Sequence, residues 1–340
     1  MNVPKEKLAN HFSREKLADH FIGACLGAFI GDSLGMGVEG WPAWAIEREY
    51  GLLSDMVPGR FPPGHYTDDT EMMISLLESL VAEERLDPGA VAARFLANFH
   101  PERGYGGRIY GIMDRLANGA SWDQVGTDSF GNGSAMRVAP IGIMFYDDLD
   151  QLKEAAVVQA SITHRHPEAL AGAVIQAGAV ALAVRAGLEG RGLDSESFIT
   201  DLADLSRNLD SVSAARLLDL INIEPGPIPD LILQLRDLYL CDVRAIEAVP
   251  PAVGSFLPTD NFASAVTLAV NLGGDTDTIG CMAGAIAGAR YGQKDFPASW
   301  VEPLENGQLG RDFLISLCQT ATALKAEARF EMALKIALNA

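Results

Sequence analysis

The chain has 340 residues, 48% of them hydrophobic, which is enough to bury the core of one large domain or of two ordinary ones. Acidic residues outnumber basic residues by 45 to 26, and the formal net charge is -19. A field of this sign repels a phosphate-rich polymer and excludes nucleic acid as a bulk partner, whereas a small anionic ligand can bind where cations offset the charge.

The N-terminal region is predicted to be a helical extension and not a targeting signal. The segment EKLANHF, from Glu6, recurs as EKLADHF, from Glu15, and residues 1–20 are therefore predicted to form an amphipathic helix in front of the domain. No apolar signal core is present, so we expect a cytoplasmic protein. The widely spaced cysteines form no CxxC pair and are expected to be reduced and buried. They are Cys25, Cys241, Cys281 and Cys318.

Glycine recurs at every fourth position in two distant segments. The first series is Gly23, Gly27, Gly31 and Gly35, and the second is Gly280, Gly284, Gly288 and Gly292. If both segments are helical, each has one face lined by glycine. Because glycine inside a helix costs about 1 kcal/mol relative to alanine, close backbone packing is the compensation that we expect.

The remaining patterns favour helices joined by proline-containing loops. Apolar residues fall at helical spacing after TDDT, the apolar stretch Ala169 to Val184 is predicted to be a buried helix and not a membrane span, and MALKIAL suggests a last helix. Loops are predicted from Pro225 to Pro229 and around Pro250, Pro251 and Pro258. No alternating strand pattern or composition change stands out. The prediction is a single all-α domain over residues 1–340.

Two acidic segments carry the strongest chemical signal. Thr67-Asp68-Asp69-Thr70 precedes one predicted helix, and Asp275-Thr276-Asp277-Thr278 precedes the second glycine-lined helix. Carboxylate and hydroxyl oxygens suit Mg²⁺, Mn²⁺ or Ca²⁺ and not zinc. Helix capping explains either segment alone. If both meet, their like charges make a two-metal site the natural arrangement.

Three further segments have weaker signals, each with a structural alternative. The loop from Phe130 to Arg137 could hold a diphosphate on its backbone N–H groups or be a plain turn. His164 and His166 lie near a predicted helix start and are more typical of structural histidines than of ligands of a hard metal. Glu39 could be a general acid or base or a solvated surface residue, and the glycines around it suggest a segment that can move.

Taken in order, these segments resemble the ADP-ribosylglycohydrolase family, which includes dinitrogenase-reductase-activating glycohydrolases, ADP-ribosyl-acceptor hydrolases and crystallin J1-like proteins. The resemblance runs from about residue 23 to about residue 292 and rests on GACLGAFIGDSLGMGVEG, YTDDTEM, RGYG, GNGSAMRVAPIG, ITHRHPEA and NLGGDTDTIGCMAGAIAGARYG. It implies a compact orthogonal helical bundle. It also implies hydrolysis that releases ADP-ribose from an ADP-ribosylated protein or small acceptor.

The resemblance further implies two Mg²⁺ ions, with Mn²⁺ as a substitute. By matching positions, the metal ligands would be Thr67, Asp68, Asp69, Asp275, Asp277 and Thr278. The residues expected to contact ADP-ribose are Tyr105, Gly106, Phe130, Gly131, Asn132, Gly133, Ser134, Met136, Arg137 and His164.

The catalytic carboxylate has two candidates under this resemblance. Glu39 matches a glutamate that lies over the metals in some members specific for serine-linked ADP-ribose, and Glu102 is placed near RGYG, where other members are thought to carry their acid. Asp68 and Asp277 are also expected to be required for catalysis. Two rival functions stay open at this point: a non-catalytic ADP-ribose-binding or crystallin-like protein, and a two-metal phosphohydrolase.

Overall fold

The computed structural model describes residues 12–327 and 331–332, and these are almost entirely helical, as predicted. The only β-strands in them are two short parallel strands, β1 (Arg85–Leu86) and β2 (Glu331–Met332). The helices are α1 Arg14–Gly35, α2 Ala43–Tyr50, α3 Asp68–Glu83, α4 Pro88–Ala97, α5 Gly107–Ala117, α6 Trp122–Val125, α7 Gly133–Met136, α8 Ala139–Met144, α9 Leu149–Ser161, α10 Pro167–Glu189, α11 Ser195–Ser206, α12 Ser211–Leu218, α13 Ile228–Leu238, α14 Ala245–Phe256, α15 Phe262–Val270, α16 Thr276–Tyr291, α17 Ala298–Val301 and α18 Arg311–Ala326.

Many helix starts are set by a local side chain. A hydroxyl, carboxylate or amide oxygen accepts a hydrogen bond from a first-turn N–H that has no partner within the helix. The capping residues of this kind include Ser13, Thr67, Asp87, Asp148, Asp194, Asp210 and Asn261.

The two glycine-lined faces pack against each other at the centre of the fold. A Cβ atom built on Gly23, Gly27 or Gly31 would lie 2.2, 2.4 or 1.9 Å from the carbonyl oxygen of Gly288, Gly284 or Gly280, respectively. Because the pairing runs in opposite directions along the two chains, α1 and α16 are antiparallel. The predicted close crossing is therefore confirmed, although Gly292 follows α16 at a positive φ of 80° and is not part of its helical face.

The antiparallel pair brings the C-terminal end of α1 to the N-terminal end of α16. The Thr276 hydroxyl at the start of α16 donates a hydrogen bond to the Gly35 carbonyl at the end of α1, at 2.9 Å. Other long helices, α10, α14 and α15, pack around α16. The acidic segment at residues 275–278 is thereby fixed deep in the molecule.

Two helical stretches, Arg14–Val38 and Pro167–Glu189, are long and apolar enough to cross a membrane by length and composition. Inside the protein, 94% and 89% of their most apolar windows are buried. This burial confirms the prediction of a buried helix over Ala169 to Val184, and it is typical of core helices. The four cysteines are free and buried, also as predicted.

The predicted loop around Pro250 and Pro251 is wrong, because both prolines lie inside α14. They remove two backbone hydrogen bonds, at a cost of about 3 kcal/mol or more. Residues 248–256 are all buried, and three large side chains, Val249, Val253 and Phe256, each contribute about 1.5–3 kcal/mol of burial. Tertiary packing therefore outweighs the local preference, whereas Pro258 does lie in a turn after the helix.

The chain ends differ in part from the sequence predictions. Residues 1–11 of the predicted N-terminal extension lie outside the described residues, and residues 14–20 form the first turns of α1 itself. Leu17 and His20 are buried there, so this part belongs to the core helix. Of the MALKIAL segment, only Met332 is described, and it lies in β2. The segment from Pro225 to Pro227 is a loop, and Pro229 lies in the first turn of α13.

Candidate active site

Asp32, near the C-terminal end of α1, ties the first turn of α3 to the central helix pair. Its fully buried carboxylate accepts hydrogen bonds from the backbone N–H and hydroxyl of Thr67 and from those of Thr70, at 2.6–3.2 Å. Burial raises the pKa of Asp32 to about 6, although these hydrogen bonds oppose the shift. The sequence analysis did not select Asp32. The signal that could have found it is an acidic residue standing alone in an otherwise apolar helix.

Four aspartates from two helix starts meet beside this anchor. Asp68 and Asp69 begin α3, and Asp275 and Asp277 lie at the start of α16. The Thr278 side chain lowers the pKa of both Asp69 and Asp275, and the charge of Asp275 raises the pKa of Asp69, so the two acidic segments form one cluster.

Burial and mutual repulsion dominate the electrostatics of this cluster. Burial raises the pKa of Asp69 well above its usual range, and the charges of Asp32 and Asp68 add to the shift. Asp277 is shifted in the same direction by burial and by the charges of Asp275 and Asp69. Carboxylates held together in this way are costly unless a proton or a cation neutralises them.

The donor set fits a hard divalent cation. Glu39, Asp275 and Asp277 each place one carboxylate oxygen within 4.8 Å of the others. The Oδ1 atom of Asp69 is buried and has no hydrogen-bond partner in the described part of the chain, an arrangement that a cation would satisfy. Of the expected ligands, Thr67 differs, because its hydroxyl donates to Asp32 at 2.9 Å and accepts from the Asp69 N–H, and it does not line the cavity described below.

Glu39 lies at the outer edge of the cluster, on a segment fixed to the acidic loop. The Gly40 N–H donates to the Gly274 carbonyl, and the Gly274 N–H donates to the Trp41 carbonyl, both at 2.8 Å. Burial raises the pKa of Glu39, whereas the charge of Arg60, 3.6 Å away, lowers it.

The glycines before Glu39 serve packing. A Cβ atom on Gly35 would lie 2.2 Å from the Thr276 carbonyl oxygen, and one on Gly37 would lie 2.4 Å from that of Val57. The expectation that these glycines provide freedom of movement is therefore wrong for Gly35 and Gly37. Gly40, with a φ of 80° and open space around its missing side chain, is the position that requires glycine for its conformation.

A cavity of about 370 Å³ opens from the carboxylate cluster toward the loop after α6. Its volume lies within the range of small-molecule sites. Among the described residues, those that line it are Glu39, Asp68, Asp69, Met72, Gly104, Gly106, Gly107, Arg108, Ile109, Ile112, Thr127, Ser129, Phe130, Gly131, Asn132, Gly133, Met136, Arg137, Thr163, His164, Val243, Asp275, Asp277 and Thr278.

The glycine-containing loop forms one wall of this cavity and contacts the acidic cluster directly. The Asn132 side-chain amide donates to Asp275 Oδ2 at 2.5 Å. The backbone N–H groups of Gly131 and Asn132 already donate to Ser129 Oγ and to the Val243 carbonyl. A phosphate cradle in this wall therefore has to use other N–H groups. The loop instead fixes where Asp275 points.

His164 lies behind this loop, and its ring contacts the Thr163 hydroxyl, which in turn contacts Arg137. The guanidinium of Arg137 can only donate, and it donates to the Thr163 hydroxyl at 2.8 Å. That hydroxyl has one proton left to donate, to Nδ1 of His164 at 2.7 Å. In the tautomer that accepts this proton on Nδ1, the ring proton of neutral His164 is on Nε2, which faces Gly131 and Gly133. Burial and the charge of Arg137 lower the pKa of His164 to about 3, so the ring stays neutral.

Several residues expected to contact ADP-ribose have internal partners. Arg137 lines the cavity, but it is fully buried and its guanidinium donates to Gln159 as well as to Thr163, the neighbour of His164. Ser134 donates to the Ala169 carbonyl and does not line the cavity.

Tyr105 and Glu102 also lie apart from the cavity lining. The Tyr105 hydroxyl donates a hydrogen bond to the buried Glu71 carboxylate at 2.7 Å. The same carboxylate accepts a hydrogen bond from the His100 backbone N–H at 3.0 Å. Glu71 thus fixes the turn that presents Gly104 and Gly106 to the cavity, a role that the sequence analysis missed. Glu102 is exposed on the short 3-10 helix Pro101–Arg103.

An all-α fold with one acidic cavity built from two helix starts is thus defined, and comparison with known proteins identifies its family. The sequence profile of ADP-ribosylglycohydrolase matches residues 13–331. ADP-ribosylhydrolase ARH3 of Homo sapiens is 32% identical over 328 residues, covering 84% of this chain and 89% of its own. ADP-ribosyl-[dinitrogen reductase] glycohydrolase of Rhodospirillum rubrum is 29% identical over 299 residues, with 84% and 90% covered.

The fold itself has a solved counterpart. The structure of an ADP-ribosylglycohydrolase-related protein complex superposes with a TM-score of 0.70 at 28% identity, over 92% of this chain and 99% of that one. The chain belongs to the ADP-ribosylglycohydrolase family and is a glycohydrolase enzyme.

Proposed function

We propose that this enzyme is a Mg²⁺-dependent hydrolase that cleaves the ribose glycosidic bond of an ADP-ribosylated acceptor and releases ADP-ribose. The observation that carries the proposal is a single cavity lined by Asp68, Asp69, Asp275 and Asp277 and, beside them, by the Phe130–Gly133 loop and His164. The names of the ARH3 and dinitrogen-reductase-type relatives support an ADP-ribosyl substrate.

The carboxylate cluster would hold the reacting ribose. The proposed ligands of two Mg²⁺ ions are Asp68, Asp69, Asp275, Asp277 and Thr278, with Thr67 supporting Asp69 from behind. Bound ions would neutralise these carboxylates and polarise the ribose hydroxyls as Lewis acids. The positive charge that develops at the ribose carbon is tolerated among carboxylates.

The Phe130–Gly133 loop and His164 would hold the nucleotide. Phe130 offers an aromatic face, and it is 41% exposed at the cavity wall. The neutral ring of His164 lies against Gly133, where a built Cβ atom would be 3.0 Å from Cε1 and 3.3 Å from Nε2. Such groups bind and orient the ligand without adding charge.

Glu39 is the proposed acid or base of the reaction. It lines the cavity, lies next to Asp275 and Asp277, and its pKa is raised by partial burial, whereas Glu102 does not line the cavity. A carboxyl group with a raised pKa can donate a proton to a leaving oxygen or take one from the attacking water.

The test is product analysis with single carboxylate variants. Purified enzyme with Mg²⁺ should release ADP-ribose with its diphosphate intact, and chelation should stop this release. Glu39→Gln should lower turnover by roughly 10²–10⁴ with ADP-ribose affinity within a few-fold. Glu102→Gln is the matched control and should keep turnover near the wild-type value.

Three results would contradict the proposal. Release of phosphate in place of ADP-ribose would indicate a phosphohydrolase. Wild-type turnover in Glu39→Gln would place the acid or base elsewhere, and a large loss in Glu102→Gln would point to that residue.

A further inference from the structure

An exposed aromatic surface lies beside the outer edge of the active site. Trp41 is 37% exposed, Trp44 62% and Tyr50 38%, all within the short segment that contains α2. We call these three residues the tryptophan rim. Exposed aromatic side chains this close together are typical of binding surfaces.

The rim is held in place by its own contacts. The rings of Trp41 and Tyr50 lie 6.3 Å apart, and the Arg48 guanidinium lies over the Trp44 ring at 5.1 Å. Side chains fixed in this way lose little conformational entropy when a partner binds. Because Arg48 already occupies one face of Trp44, a partner gains mainly from apolar contact with the remaining surface.

The rim is continuous with the catalytic cluster. The Trp41 carbonyl accepts a hydrogen bond from the Gly274 N–H, and Pro42 pairs with Gly273. These two glycines immediately precede Asp275. Glu39, two residues before Trp41, is exposed, whereas His164, which also lines the cavity, is buried. An acceptor that is attached to a ribose among the carboxylates and leaves the cavity past Glu39 would pass the segment that carries Trp41 and Trp44.

We propose that the tryptophan rim binds the polypeptide that flanks the ADP-ribosylated residue, through an apolar side chain of that polypeptide. This inference rests on the proposed function and specifies the acceptor as a protein segment. The net charge of -19 disfavours an acidic polymer at this surface, whereas an apolar or basic polypeptide can approach it. The rim thus adds acceptor affinity without contacting ADP-ribose.

The test compares two substrates with the same linkage. One is an ADP-ribosylated peptide with apolar residues beside the modified position, and the other is the ADP-ribosylated amino acid alone. Trp44→Ala should lower kcat/KM for the peptide by about 10-fold and leave the single-residue substrate within about twofold of the wild-type value. A peptide with glycine and serine flanks should show no such loss.

Leu233→Ala is the matched control, because Leu233 is 65% exposed on α13. It should change neither substrate, and both variants should melt at the wild-type temperature. Equal losses on both substrates in Trp44→Ala, or no loss on the apolar peptide, would overturn the rim as a docking surface. Failure of the wild type to release ADP-ribose from either substrate would instead overturn the proposed function.

Discussion

Replacing Gly284 with alanine adds one methyl group to a close backbone contact between the two central helices. The new Cβ atom would lie 2.1 Å from the carbonyl oxygen of Gly27 and 2.9 Å from its carbonyl carbon, and real Cβ contacts essentially never fall below 3.0 Å. Both atoms belong to the backbone, so no side chain can rotate away. The helices would have to separate locally by about 1 Å.

Two opposing effects decide the magnitude. Alanine is the better helix former by about 1 kcal/mol, which favours the variant. Overpacking costs about 1–3 kcal/mol in an ordinary core, and the upper end applies here because backbone meets backbone. The neighbouring contacts at Gly23 and Gly31 are equally close, so the strain cannot be relieved by tilting one helix. We expect Gly284→Ala to lower the free energy of unfolding by about 2 kcal/mol.

Urea denaturation followed by circular dichroism would measure the change. Gly111→Ala is the matched control, since Gly111 lies inside α5 and nothing occupies the 4 Å around its missing Cβ atom. That substitution should stabilise the protein by about 0.5–1 kcal/mol. A Gly284→Ala protein as stable as the wild type, or more so, would refute the close backbone contact.

Two further predictions concern the site. Mg²⁺ at about 100 times its Kd should stabilise the wild type by about 2.7 kcal/mol per site. Asp277→Asn should lose much of this gain while its metal-free stability holds or rises, because the repulsion from Asp275 and Asp69 is relieved; a full Mg²⁺ effect in thermal denaturation would contradict the assignment. For His164, the folded pKa of about 3 lies below the unfolded value of 6.5, so the unfolded chain binds the proton more readily and stability falls as the pH drops below 6.5. The difference in the free energy of unfolding between wild type and His164→Asn should shrink by about 1.4 kcal/mol per pH unit below 6.5, and a constant difference in urea titrations would show that the buried ring is not the cause.

The features that the sequence predicted best are those carried by local pattern. The period-four glycines predicted a helix crossing, since no other residue type allows backbone contact on a helical face. The segments TDDT and GGDTDT predicted helix starts rich in carboxylates, because a capping residue and its acidic neighbours are adjacent in the chain.

What the sequence did not predict depends on partners far along the chain. Asp32 was not selected, and the four groups that donate hydrogen bonds to it belong to Thr67 and Thr70. Tyr105 was expected at the ligand, but Glu71 takes its hydroxyl. Whether a polar side chain faces a cavity or an internal partner is decided by packing, which single-sequence patterns do not encode.

The antiparallel pairing of α1 and α16 also bears on the order in which the protein is made. The hydrogen bond from Thr276 to Gly35 joins residues that are 241 positions apart. At about 5–20 residues per second, a ribosome needs on the order of ten to fifty seconds to add that length of chain. During this interval α1 has no partner for its glycine face, and the carboxylates at the start of α3 lack those of α16. Catalytic competence therefore arises late in biosynthesis, because α1 cannot pack against α16 until α16 has been synthesised.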